Sequence, residues 1–258
     1  MSVPGTAADD FPTGWYGKIS GTGDFIIRRV PPAFVSAWDV WLGTALKGSR
    51  ERLAGQWLDR FLSMPPWRFV LGAGMVSTGA WAGILLPSVD AVGRYFPVTV
   101  VASLPAASLD LVQTLQNAQT WFRGIESVAL EAIAPGANIA AVDAALAAQV
   151  FSANLLAPRA SASPDDTVPL RSRKPQMLAV PLPAMASGRP WPKLRSLTAT
   201  VAEPACVWLA EASDVFGACL LVGESLPPAE EFCALLDGRW SEHGWSRRGL
   251  GAPSEQEV

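Results

Sequence analysis

The sequence predicts an α/β protein, one sheet covered by helices, on three observations. Apolar runs with strand character recur along the chain, at 67–71, 80–86, 98–103, 177–180, 198–201, 206–209 and 218–222. Segments with helical spacing lie between and around them, with no internal repeat. Half of the 258 residues are hydrophobic and 17% are charged, which is ample for a buried core. Strands and helices mixed along the whole length favour one sheet with helical layers over separate all-α and all-β parts.

Residues 1–13 lack periodicity and read as a flexible tail, so the domain is set at 14–244. The first element is Gly14-Trp-Tyr-Gly-Lys-Ile-Ser-Gly-Thr-Gly-Asp-Phe-Ile-Ile-Arg-Arg29, a short strand broken by Gly21-Thr-Gly23. Pro31-Pro32 suits a helix start, because a first-turn N–H has no intrahelical partner to lose. Phe34, Val35, Trp38, Trp41, Leu42, Ala45 and Leu46 then mark one buried face of an amphipathic helix. A second short helix carries Trp57, Leu58, Phe61 and Leu62 and stops at Pro65-Pro66.

Strands at Trp67–Leu71 and Ala80–Leu86 follow, joined by a glycine-rich turn. The Pro87–Pro97 loop gathers Ser88, Asp90 and Arg94 ahead of the β-branched run from Val98. Ser108 or Asp110 caps one long helix to about Ile133, and another helix begins near Ile139. Prolines, serines and mixed charges make 156–176 an exposed loop. Strands then lead to a helix after Pro227-Pro228, which ends at Gly238, and 245–258 read as a second flexible tail.

Composition removes several classes of function. A net charge of −3 leaves no basic footprint for nucleic acid. No apolar run is long enough for membrane insertion, and the N-terminus has no leader pattern, so the cytoplasm is expected. The three cysteines, Cys206, Cys219 and Cys233, follow no metal spacing and read as buried thiols. Most of the eleven tryptophans must be core.

Catalytic and cofactor patterns are fragmentary. Gly14-x-x-Gly17-Lys18 has Pro12 where a phosphate loop needs glycine and Ile19 where it needs Ser or Thr. Ser88 lacks the flanking glycines of a nucleophile elbow. The single histidine, His243, reads as an exposed tail imidazole. We therefore expect no enzyme, no metal and no cofactor.

What remains is a group of charged and aromatic residues beside glycines: Lys18, Asp24, Phe25, Arg28, Asp39, Ser88, Asp90, Arg94 and Tyr95. Two readings stay open. Either the carboxylates cap turns while Arg94 locks two loops together, or the group binds a partner. In both, Asp24 is expected within reach of Arg94, with the two loops meeting at one edge of the sheet.

Three segments, in this order and spacing, are more specific: Gly14–Pro31, then Trp38-Asp-Val-Trp-Leu42 with Pro66-Trp-Arg-Phe69, then Pro87-Ser-Val-Asp-Ala-Val-Gly-Arg-Tyr-Phe-Pro97. They resemble the TagF (ImpM) family, accessory proteins of bacterial type VI secretion. Ser20 departs from the resemblance, since the family commonly has proline there. The resemblance implies a three-layer α/β/α sandwich with a central mixed sheet. It also implies a non-catalytic cytoplasmic regulator that represses type VI secretion post-translationally, with a forkhead-associated scaffold component as partner. The alternative is a small-ligand or nucleotide sensor built on the Gly14–Asp24 turn.

Overall fold

The computed structural model describes residues 10–158, 177–182 and 205–247. Its first half contains β1 (Thr13–Gly17), β2 (Ile26–Arg28), α1 (Pro32–Leu53), α2 (Trp57–Leu62), β3 (Trp67–Leu71), β4 (Ala80–Leu86) and β5 (Val98–Leu104). Three helices follow: α3 (Leu111–Asn117), α4 (Gln119–Ile133) and α5 (Ile139–Ala148). The second half supplies β6 (Met177–Pro181), β7 (Cys206–Ala210), β8 (Cys219–Gly223), α6 (Ala229–Asp237) and β9 (Ser246–Arg247).

The strands form one nine-stranded sheet in the order β2-β1-β5-β4-β3-β7-β8-β6-β9. Neighbours are antiparallel except β6 and β9, which run parallel, so the sheet is mixed. Side-chain alternation divides the interior in two. On β3, Val70 faces a core built with α3, α4 and α5, while Trp67, Phe69 and Leu71 face one built with α1, α2 and α6. Burial on both faces explains why the central strands read as largely apolar runs, with Arg68 of β3 a buried exception. The three-layer α/β architecture expected from the sequence is the one observed.

Among the described residues the tryptophans are mostly core, and several bond their ring N–H groups to distant elements. Trp38 stacks between Phe34 and Trp208 and donates to Thr99 Oγ1 at 2.9 Å. Trp41 donates to the Pro227 carbonyl at 2.8 Å and Trp67 to that of Leu235 at 3.1 Å, so both tie strands or helices of the first half to the α6 region. The three cysteines are free and buried, and burial pushes the thiols of Cys206 and Cys233 up to about 12 and about 11.

Several boundaries differ from the sequence reading. The helix expected from 111 to 133 divides at Ala118 (φ −87°, ψ 10°). At the break, the Gln119 amide donates to the Leu115 carbonyl and accepts from Arg68 of β3. Phe11 pairs with Phe151 and Trp245 is buried, so paired structure runs beyond 14–244 at both ends. The first residues of the expected 156–176 loop are docked, with the Ala157 N–H on Thr114 Oγ1. The rest of that loop and the strand at 198–201 lie outside the described residues.

His243 is not an exposed tail residue. It is 6% exposed, accepts at Nδ1 from Arg52 Nε–H at 3.1 Å and meets Asp237 Oδ2 through Nε2 at 3.0 Å. Guanidinium can only donate, so Nδ1 carries the lone pair and Nε2–H donates to the carboxylate. Gly244, at φ 86°, turns the chain back so that Trp245 packs edge-on to Trp240 and donates its ring N–H to the Glu231 carbonyl at 2.9 Å.

Candidate functional site

At the β2 end of the sheet, the loop between β1 and β2 meets the loop between β4 and β5. The Ala91 N–H donates to the Thr22 carbonyl at 3.0 Å, and Arg94 Nη2 donates to the Gly23 carbonyl. The expected meeting of the two loops is therefore present.

Asp90 is its hub. Oδ1 accepts the backbone N–H groups of Val92 and Arg94 at 3.0 and 2.8 Å. Oδ2 accepts from Lys18 Nζ at 2.7 Å and from Arg94 Nε at 2.6 Å. Burial alone would raise this carboxyl, but the bonds from Lys18, Arg94 and the two amides outweigh it and hold it well below the usual carboxylate range. Lys18 is also buried, and its ammonium lies 4.8 Å from the centre of the Phe25 ring.

Around this ionic centre sits an aromatic group. Tyr16 of β1 stacks on Phe25 at 5.4 Å, and Phe96 packs edge-on to both, at 5.9 and 4.9 Å. The Tyr16 hydroxyl donates to Asp39 Oδ1 of α1, which fastens that helix to the corner. Burial and this contact raise the phenol far above its ordinary value. Phe25 nevertheless remains 42% exposed and neighbouring Ile27 45% exposed, so the corner presents an apolar face over a rigid ionic support.

The remaining candidates fall differently. Asp24 is exposed and has no ion pair among the described residues; the expected Asp24–Arg94 pair is not formed. Asp90 wins that arginine because it lies four residues away in the same closed loop, already oriented by two backbone amides. Arg28 is directed away from the corner: it stands opposite Trp15, on the face toward α5, and bonds the Ile27 carbonyl. Ser88 is buried, and its carbonyl accepts the Phe96 N–H at 3.1 Å. Tyr95 turns toward Trp57 and Phe61, 6.0 and 6.1 Å away.

Gly17, at φ 139°, lies so close to the Pro97 carbonyl that a Cβ would sit 2.3 Å from it, and a Cβ on Gly14 would sit 2.5 Å from the Arg29 carbonyl. They allow close backbone approach within the sheet. A Cβ on Gly23 would meet nothing within 4 Å. With Gly14 and Gly17 pressed on backbone and Lys18 bound to Asp90, the turn offers no phosphate cradle.

Sequence reasoning missed an adjoining cleft of 580 Å³ between this loop and the junction of α1 and α2. Arg50, Ala54, Trp57, Leu58, Arg94 and Tyr95 contribute to its lining. Trp57 reads as helix core in the sequence, and nothing local indicates that Arg50 lies 4.2 Å from the centre of its ring.

Fold and corner together define a three-layer α/β/α domain with a buttressed aromatic and ionic patch at one end of its sheet. The profile of the TagF N-terminal domain, type VI secretion system-associated, matches residues 14–149, and the chain belongs to this family. It is similar to the crystal structure of PA0076 from Pseudomonas aeruginosa PAO1, determined at 2.05 Å resolution. The identity is 32% with a TM-score of 0.69, over 95% of this chain and 99% of that one. No curated protein matches the chain.

Proposed function

We propose that this chain is a non-catalytic cytoplasmic regulator that represses type VI secretion after translation. It does so by binding a forkhead-associated scaffold component, with the β2-end corner as the docking surface. Membership of the TagF family carries the reading. The corner supports it with an exposed aromatic, an exposed carboxylate at Asp24 and a guanidinium at Arg94, held on buried Lys18 and Asp90. Protein interfaces favour such aromatic and arginine anchors on a rigid base. Among the described residues no helix is long and apolar enough to cross a membrane.

The test is secretion output in cells that carry the secretion genes and overproduce this chain. Wild type lowers output, and the surface double variant Asp24→Ala/Phe25→Ala, at equal protein level, lowers it much less. Equal repression by both would move the docking surface elsewhere. Absence of repression by wild type would remove the function itself.

A further inference from the structure

We infer that the cleft between Arg50 and Arg94 receives an extended acidic segment of the protein partner, with a carboxylate of that segment held between the two guanidinium groups. This rests on the reading that the corner binds a protein, and it specifies the chemistry recognised there.

The floor of the cleft is fixed. Trp57 donates its ring N–H to Ser49 Oγ at 2.9 Å, stacks on Phe61 at 4.9 Å and is closed at its edge by Tyr95. Arg50 lies over this floor, exposed, with no carboxylate partner among the described residues. A guanidinium lying over an aromatic ring keeps donor N–H groups available for a carboxylate. On the opposite wall Arg94 uses Nε for Asp90 and Nη2 for the Gly23 carbonyl, yet its side chain remains 56% exposed. Those two bonds fix its orientation and leave Nη1 for a ligand.

Charge and shape then select the occupant. The chain as a whole is acidic, at −3, so two arginines facing one cleft form a local cationic site on a surface of opposite net sign. Its volume is that of a ligand pocket, but it is open to solvent, as suits a segment laid across it. Leu58, 38% exposed, lies in the lining, and Val92, 68% exposed, stands on the neighbouring loop; both offer apolar contacts to side chains flanking the carboxylate. The junction itself is strained: Ala54 is held at φ 44° between α1 and α2. Such conformations persist where surrounding structure enforces them, and binding sites are a frequent location.

The probe is a fluorescein-labelled decapeptide rich in Asp and Glu with two leucines, titrated against the full chain by fluorescence anisotropy. A lysine counterpart of the same length serves as control. Wild type binds the acidic probe and not the basic one, and affinity falls with added salt. Arg50→Gln weakens binding about tenfold or more, as loss of a charge-assisted pair should. Its thermal midpoint stays within about 3 °C of wild type, since among the described residues the exposed Arg50 side chain has only the Trp57 ring as a partner.

Equal binding by Arg50→Gln, or no binding of the acidic probe to wild type, would overturn the inference. Displacement of the probe by inorganic phosphate at matched ionic strength would assign the cleft to a phosphate group and also overturn it. Scaffold capture separates the two levels. Undiminished capture by Arg50→Gln rejects the cleft while the regulator reading stands. Absence of capture by wild type rejects that reading, and the peptide titration still judges the cleft by itself.

Discussion

Substituting Gly17 by alanine tests how the corner is built. At φ 139° this residue is in a region that L side chains rarely adopt, and a Cβ would lie 2.3 Å from the Pro97 carbonyl and 2.8 Å from Val98 Cα. Both contacts are backbone, so neither can turn aside without shifting β5. Overpacking of this kind costs about 1–3 kcal/mol and the strained dihedral a similar amount, for a total of about 3–4 kcal/mol. In a chain of this size that lowers the thermal midpoint by about 10 °C. Gly23→Ala, six residues away in the same motif, meets no atom within 4 Å and changes the midpoint by less than about 2 °C. Tryptophan emission during thermal unfolding reads both variants directly. Equal losses, or a larger loss at Gly23, would refute the assignment of close approach to the strand glycine and restore the turn as the demanding position.

Two further outcomes follow from buried polar groups. Because the Asp90 carboxyl is held below its unfolded value, its contribution is fully present above about pH 4 and is lost as pH falls further. The difference in thermal midpoint between wild type and Asp90→Asn is therefore constant from about pH 5 to 7 and shrinks below about pH 4; a gap that widens on acidification would contradict the sign. His243→Leu leaves Arg52 Nε–H without its acceptor and Asp237 with Arg239 alone, which costs about 1–3 kcal/mol and lowers the midpoint by several degrees. A midpoint within about 1 °C of wild type would return His243 to the status of a surface group.

The sheet was legible where a strand is buried on both faces. β3 and β4 match the expected limits because Trp67–Leu71, apolar apart from the buried Arg68, and the apolar run Ala80–Leu86 are bounded by prolines or glycines. α1 was legible because Phe34, Trp38, Leu42 and Ala45 keep helical spacing after Pro31-Pro32. The break at Ala118 was not, since no proline or glycine marks it and the Arg68 that bonds Gln119 is 51 residues away in sequence. The two loops of the corner could be matched from their charges, but the pairing within them could not. Lys18 finds Asp90 across 72 residues, whereas Arg94 takes the nearer Asp90 over Asp24. Burial of His243 depends on Arg52 of α1, a contact no local pattern records. The Arg50 cleft likewise exists only once α1, α2 and the 87–97 loop are assembled.

The most direct measurement is the dissociation constant of the purified forkhead-associated scaffold component for this chain, by calorimetry, with wild type and Asp24→Ala/Phe25→Ala compared at equal thermal midpoints. Asp24 is exposed and Phe25 is partly so, packing on Tyr16 and Phe96, so the variant is compared only where its thermal midpoint matches wild type and Asp24→Ala alone serves as the second variant. The account predicts saturable binding by wild type and affinity at least about tenfold weaker in the variant, equivalent to about 1.4 kcal/mol of lost contact. Identical affinities would show that the corner is not the docking surface, and no detectable heat with wild type would contradict the regulator reading as a whole.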